Sequence, residues 1–184
     1  MGSTVVHLTA RDPSPATLAL VAGAALARTV AALAPDIEMR LKWPNDVTID
    51  GAKCSGILME RSGDSVVIGV GVNLVSAPAL PDRATVALAD KGVAIERDHF
   101  AETLAIAMAD ELATWRREGV ESIVRAWLPR GHPIGTPLHV SEQGIDGTFD
   151  GLASDGALRL RRDDGAVMLI HAGDVEFRRP VKEG

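Results

Sequence analysis

Two lysines stand beside groups that could work with them. Lys42 is followed at once by Trp43-Pro44-Asn45-Asp46, which places a cation at a strand end next to a rigid turn bearing an amide and a carboxylate. Lys53 opens Lys53-Cys54-Ser55-Gly56-Ile57-Leu58, where a lysine emerges from a hairpin strand and a glycine lies three residues on. Strict strand alternation puts Lys53 and Ser55 on one face and Cys54 and Gly56 on the other. A third segment, Gly69-Val70-Gly71-Val72-Asn73, turns Gly69, Gly71 and Asn73 onto one face. Such a strip of sheet is bare of side chains until the amide, and a flat ligand can lie against its backbone. Each feature has an ordinary reading when taken singly. A lone lysine at a strand end is usually a solvated charge, glycines in a strand often mark a bulge, and Trp43-Pro44 can serve packing. Gly69-Val70-Gly71 lacks the third glycine and the following helix of a dinucleotide loop.

These segments need elements to position them. Thr4–Ala10 alternates and is β-branched, so it reads as a strand. Ser14-Pro15 then signals a helix start, and the Ala/Leu/Val run to about Leu33 is a helix apolar around most of its circumference, hence buried. Glu38–Trp43 is a second strand. Val47–Ile49 and Lys53–Glu60 flank the hairpin turn Asp50-Gly51. Val66–Val75 is a continuous apolar run, which predicts a strand buried on both faces. A Pro/Ala loop, Ala77–Pro81, precedes a long amphipathic helix near Asp98–Arg117 and a shorter one near Val120–Leu128. The Pro- and Gly-rich stretch from Pro129 to Pro137 separates residues 1–132 from residues 133–184. Beyond it, five short strands spaced by glycine turns predict a small β-barrel: Leu138–Ser141, Gly147–Ala153, Ala157–Arg161, Val167–Ile170 and Asp174–Phe177.

Composition narrows the classes. Of 184 residues 46% are hydrophobic and 24% charged, as in ordinary globular proteins, while aromatics are 3% and tyrosine is absent, so the core must be aliphatic. A net charge of −6 argues against DNA and an anionic membrane surface as partners. The single Cys54 excludes an internal disulfide and an all-cysteine metal site, and suits a reducing cytoplasm. The start has no basic region followed by an apolar run of the secretory kind.

The order of the motifs is more informative than any one of them. Lys-Trp-Pro-Asn-Asp (42–46), an Asp-Gly hairpin, Lys53-x-x-Gly56-Ile57-Leu58-x-Glu60, Gly69-Val70-Gly71-Val72-Asn73 and a terminal barrel together resemble the biotin–protein ligase family over essentially the whole chain. The related lipoate ligases share the fold but differ in these words. The stretch from Gly144-Ile145-Asp146-Gly147 to Gly173-Asp174-Val175 looks like the family's SH3-like C-terminal domain. The resemblance implies an α+β fold, with a mixed or antiparallel sheet packed with helices, followed by a small SH3-like β-barrel.

The resemblance also implies a reaction. The family joins biotin to ATP, with Mg²⁺, to give biotinyl-5′-AMP and pyrophosphate, and passes biotin to a lysine of a biotin carboxyl carrier protein. A carboxylate must meet an α-phosphate, so fixed cations must offset the repulsion. Lys53 matches the family lysine at the biotin carboxylate and bridging phosphate, and Lys42 matches one placed toward the ATP phosphates. Gly56, Leu58, Gly69 and Gly71 match positions around the biotin rings. Asn45 and Asn73 match positions near the nucleotide. Asp46 contacts the nucleotide or its Mg²⁺, or caps the turn. No protein-bound metal is implied, and a homodimer is compatible with the family. Members also carry a Gly/Arg-rich adenylate-binding loop ahead of the first strand seen here, and some carry a DNA-binding helix-turn-helix. Met1-Gly2-Ser3 leads straight into the strand. The expectation is therefore the back two-thirds of a ligase, a poor catalyst by itself. The alternatives are a non-catalytic ligand- or carrier-binding paralogue, half of a split ligase and, behind these, a lipoate ligase.

Overall fold

The computed structural model describes residues 1–177. The first five strands are β1 (Gly2–His7), β2 (Met39–Lys42), β3 (Asp46–Ile49), β4 (Ala52–Ser62) and β5 (Ser65–Val72). They form one sheet in the order β1-β5-β4-β3-β2, antiparallel throughout. Four of them make a meander because each link is a tight turn. At the β3–β4 turn Asp50 and Gly51 both have positive φ, 50° and 78°, the geometry that matches strand twist in a two-residue hairpin.

Helix α1 (Leu18–Leu33), preceded by a 3₁₀ turn at Pro15–Thr17, covers one face of this sheet. By length and composition this stretch could cross a membrane. Here it is the core: Leu18, Val21, Leu26 and Val30 are wholly buried. Gly23 lets α1 settle closely, since a Cβ there would lie 3.5 Å from Leu41 Cδ2. Helices α2 (Arg97–Glu118) and α3 (Val120–Trp127) pack behind it. Trp115 is fully buried and its indole N–H donates to Thr17 Oγ1 at 2.8 Å, so the ring is buried without an unpaired donor.

The second sheet contains β6 (Pro137–Val140), β7 (Ile145–Leu152), β8 (Leu158–Arg161), β9 (Val167–Ile170) and β10 (Val175–Phe177), in the order β10-β6-β7-β8-β9. Leu138, Val140, Phe149, Leu158, Leu160 and Val175 fill its interior, giving the SH3-like barrel that the glycine-spaced strands predict. The α+β class thus stands as expected.

Two local expectations are corrected. The first concerns β5, which is not buried on both faces. Val66, Ile68 and Val70 point into the core, whereas Val67 is 37% exposed and Gly69 and Gly71 are half-open. The strand alternates, as the spacing of Gly69 and Gly71 alone predicts, with the glycines in the outer positions.

The second concerns β4. Val47 pairs with Ser55 and Thr48 with Lys53, so Cys54 is an extra residue in β4. This bulge breaks the alternation. Cys54 and Ser55 are both buried, and Lys53 returns to the face of Gly56.

Candidate active site

The bulge builds the site. Antiparallel partners share a face, and the register pairs Gly56 with both Asp46 and Gly71, and Leu58 with Gly69. Asp46, Gly56, Leu58, Gly69 and Gly71 therefore lie on the outer face of the sheet, and the bulge adds Lys53 to them. A Cβ at Gly56 would lie 3.1 Å from Lys53 Nζ and 3.6 Å from Asp46 Oδ1, which shows the ammonium resting over the glycine. Above this floor is an open cavity of about 570 Å³, lined among others by Lys53, Gly56, Leu58, Gly69, Gly71 and Asn73. A larger apolar share than polar is the usual make-up of a small-molecule site.

Charge is concentrated at one end of this cavity. Asp46 is nearly buried and pairs with Lys53 through one carboxylate oxygen. Its other oxygen lies 4.0 Å from Lys42 Nζ and 3.6 Å from Arg83 Nη1. Asp174 of the barrel joins them, 3.4 Å from Lys42 Nζ and 3.5 Å from Arg83 Nη2. The Lys42 side chain is only 12% exposed, so it is not the solvated charge that a strand-end lysine usually is. Asp46 is the shared counter-charge of the cation cluster.

The two asparagines line the cavity with their amide nitrogens already engaged. Asn45 Nδ2 donates to Ile57 O at 2.8 Å, holding the turn to β4. Asn73 Nδ2 donates to Lys53 O at 3.3 Å and Val86 O at 3.2 Å, tying the following loop to the strand that carries Lys53. Cys54 is fully buried, and burial pushes its thiol up to about 11. A thiol so buried and raised is a poor nucleophile.

The turn before Asp46 is gripped from the barrel side. The Trp43–Pro44 peptide is cis. Trp43 Nε1 donates to Gly156 O at 3.1 Å, and its backbone N–H donates to His132 Nε2 at 3.4 Å. His132 packs edge-on to Phe149 and Phe177, and burial, with Lys42 adding its positive charge, pushes the imidazole down to about 4. It is thus a neutral acceptor. Arg83, Asp174 and His132 were not among the residues marked from sequence. Arg83 sits in a loop without periodicity, His132 in the Pro- and Gly-rich stretch before β6, and Asp174 in the loop before β10, far along the chain.

The site is thus a glycine-floored cavity with cations at one end, on an antiparallel sheet backed by helices and joined to a small barrel. Residues 9–129 match the model of the biotin/lipoate A/B protein ligase family, and residues 140–178 match that of the biotin protein ligase C-terminal domain. The chain belongs to this family, on its biotin branch. It is 36% identical over 177 residues to the biotin–[acetyl-CoA-carboxylase] ligase of Paracoccus denitrificans, covering 88% of this chain and 73% of that one. The ligase of the same name from Mycobacterium tuberculosis is 34% identical over 164 residues, at 86% and 61% coverage. The bifunctional ligase/repressor BirA of Escherichia coli is 28% identical, at 90% and 54%. Among solved structures, the biotin protein ligase of Aquifex aeolicus superposes with a TM-score of 0.84 at 22% identity, over 96% of this chain and 81% of that one. The last likeness shows the fold alone.

Proposed function

We propose that this chain performs the biotin–protein ligase reaction: biotin and ATP give biotinyl-5′-AMP and pyrophosphate, and the biotinyl group then passes to a lysine of a biotin carboxyl carrier domain, releasing AMP. The observation that carries this reading is the convergence of Lys42 and Lys53 at one end of the Gly56/Gly69/Gly71 floor. The bare strip suits a flat apolar bicycle. The cations suit the carboxylate and phosphate that must meet at its end. Lys53 offsets the charge where the carboxylate oxygen attacks the α-phosphorus and pyrophosphate departs; Lys42 faces the phosphates. Leu58 flanks the rings, and Asn45, Asp46 and Asn73 bound the nucleotide side. Magnesium enters as part of the nucleotide substrate. We take residues 1–132 as the catalytic domain and 133–184 as the SH3-like domain. The setting is a reducing cytoplasm.

The test is incubation of the purified chain with biotin, Mg-ATP and an acceptor carrier domain, reading the acceptor by mass spectrometry. A mass gain of one biotinyl group that Lys53→Ala suppresses supports the reading. Binding of biotin and ATP with no adenylate and no transfer would favour a non-catalytic binding module. Binding of neither would end the proposal.

A further inference from the structure

Arg83 lies in the loop after β5, which its composition marks only as a connection. Backbone hydrogen bonds tie this loop to β4. The Lys53 backbone N–H donates to Ala84 O at 2.8 Å, and the Val86 N–H donates to Lys53 O at 3.0 Å, so the loop makes a parallel bridge to the bulge at Thr85. Asn73 adds its amide to both sides of that bridge. Arg83 is thereby tied, through its next neighbour, to the residue bearing the Lys53 ammonium.

Its guanidinium turns toward the cavity's charged end. Its short contacts go to the exposed Asp82, from Nε at 2.9 Å and from Nη2 at 2.8 Å. Toward Asp46 and Asp174 it is held only at ion-pair distances of 3.6 Å and 3.5 Å. Lys42, Lys53 and Arg83 thus present three positive charges to Asp46 and Asp174, with Asp82 a further ion-pair partner of Arg83. Asp174 is 44% exposed and loosely held, so an incoming anion can replace it as partner. A guanidinium offers a planar pair of donors that fits phosphate oxygens, as a lysine's point charge does not.

We propose that Arg83 is the third cation of the anion site and binds phosphate oxygens of the nucleotide, with Asn73 as the positioning residue that sets its loop. The inference rests on the ligase reading above. The experiment is calorimetric titration of the full chain and its Arg83→Gln and Arg83→Lys variants with Mg-ATP and, separately, with biotin. The expected result is a rise of about ten- to a hundredfold in the Kd for Mg-ATP in Arg83→Gln, the range for losing hydrogen bonds to a charged group. Arg83→Lys should recover part of it. Biotin affinity should stay level, and the melting temperature within about 3 °C, because exposed ion pairs add little stability. Unchanged ATP affinity in Arg83→Gln would overturn the proposal while leaving the ligase reading intact. A parallel loss of biotin affinity and thermal stability would overturn it too, by showing that Arg83 only braces the fold. A parent chain that binds neither ligand would overturn both.

Discussion

Gly56→Ala is a small change that should act on the reaction rather than on the fold. The new Cβ would fall 3.1 Å from both Nζ and Cε of Lys53 and 3.6 Å from Asp46 Oδ1. Carbon contacts are comfortable at about 3.5–4.0 Å, so the ammonium must retreat by a few tenths of an ångström. It can do so, being the far end of a flexible chain. The strand itself gains from the swap, since replacing glycine at an unstrained position lowers unfolded-state entropy, worth about 0.4–1 kcal/mol. Stability should therefore hold or rise slightly. The reaction should not fare as well. Deleting a charge-stabilising donor outright costs about 10²–10³ in rate, and a misplacement of about 1 Å can cost 10², so a shift of this size should lower adenylation roughly three- to tenfold. The assay is single-turnover pyrophosphate release at saturating biotin and Mg-ATP, with a thermal melt on the same sample. Gly69→Ala is the counterpart: its Cβ would meet nothing nearer than Leu58 O at 3.8 Å, so it should weaken biotin binding and spare the saturated rate. A Gly56→Ala protein that is equally stable and adenylates at the parent rate would refute the idea that this glycine sets the ammonium's position.

Three further outcomes are expected. Lys53→Ala should lower biotinyl-AMP synthesis by about 10²–10³ in a folded protein, and near-normal synthesis would remove Lys53 from the mechanism. Gly71→Val should keep the strand, where valine is favourable and a Cβ meets only ordinary contacts at 3.9 Å, yet raise the biotin Kd by about a hundredfold by filling the floor of the cavity, as calorimetry would show. His132 is pushed by burial, and secondarily by Lys42, from 6.5 to about 4, so it is neutral when folded and takes a proton more readily when unfolded. Its stabilising contribution is complete above pH 6.5 and is lost as pH falls from about 6.5 to about 4, by up to about 3 kcal/mol. Denaturant melts across that window should show a steeper decline than in His132→Gln, and parallel declines would exclude His132 as the source.

The sheet and barrel were legible because their signals are local. Asp50-Gly51 demands positive φ at both positions and thereby dictates a hairpin; the apolar circumference of Leu18–Leu33 dictates burial; glycine turns space the barrel strands. The glycine floor was legible for the same reason, as period two needs only the sequence. Periodicity failed where the chain departs from it. A bulge adds a residue without leaving a mark in composition, so strict alternation placed Lys53 opposite to Gly56, when the two are in contact. Arg83 and Asp174 were illegible for a different reason. Their role depends on tertiary placement, one through backbone bonds to Lys53 and the other through docking of the second sheet.

That docking explains why a barrel far along the chain belongs to the site at all. Three like charges gathered around one carboxylate repel one another. Without a bound anion, Asp46 of β3 and Asp174 of the loop before β10 supply the shared counter-charge, with Asp82 pairing with Arg83. Asp46 can do so only if the turn preceding it is fixed, and that turn is held by Trp43 bonded to Gly156 and His132. His132 can accept from the Trp43 N–H only while neutral, which its burial against Phe149 and Phe177 ensures. The positions of Lys42, Lys53 and Arg83 thus depend on contacts made by the second sheet as much as on the strands that carry them.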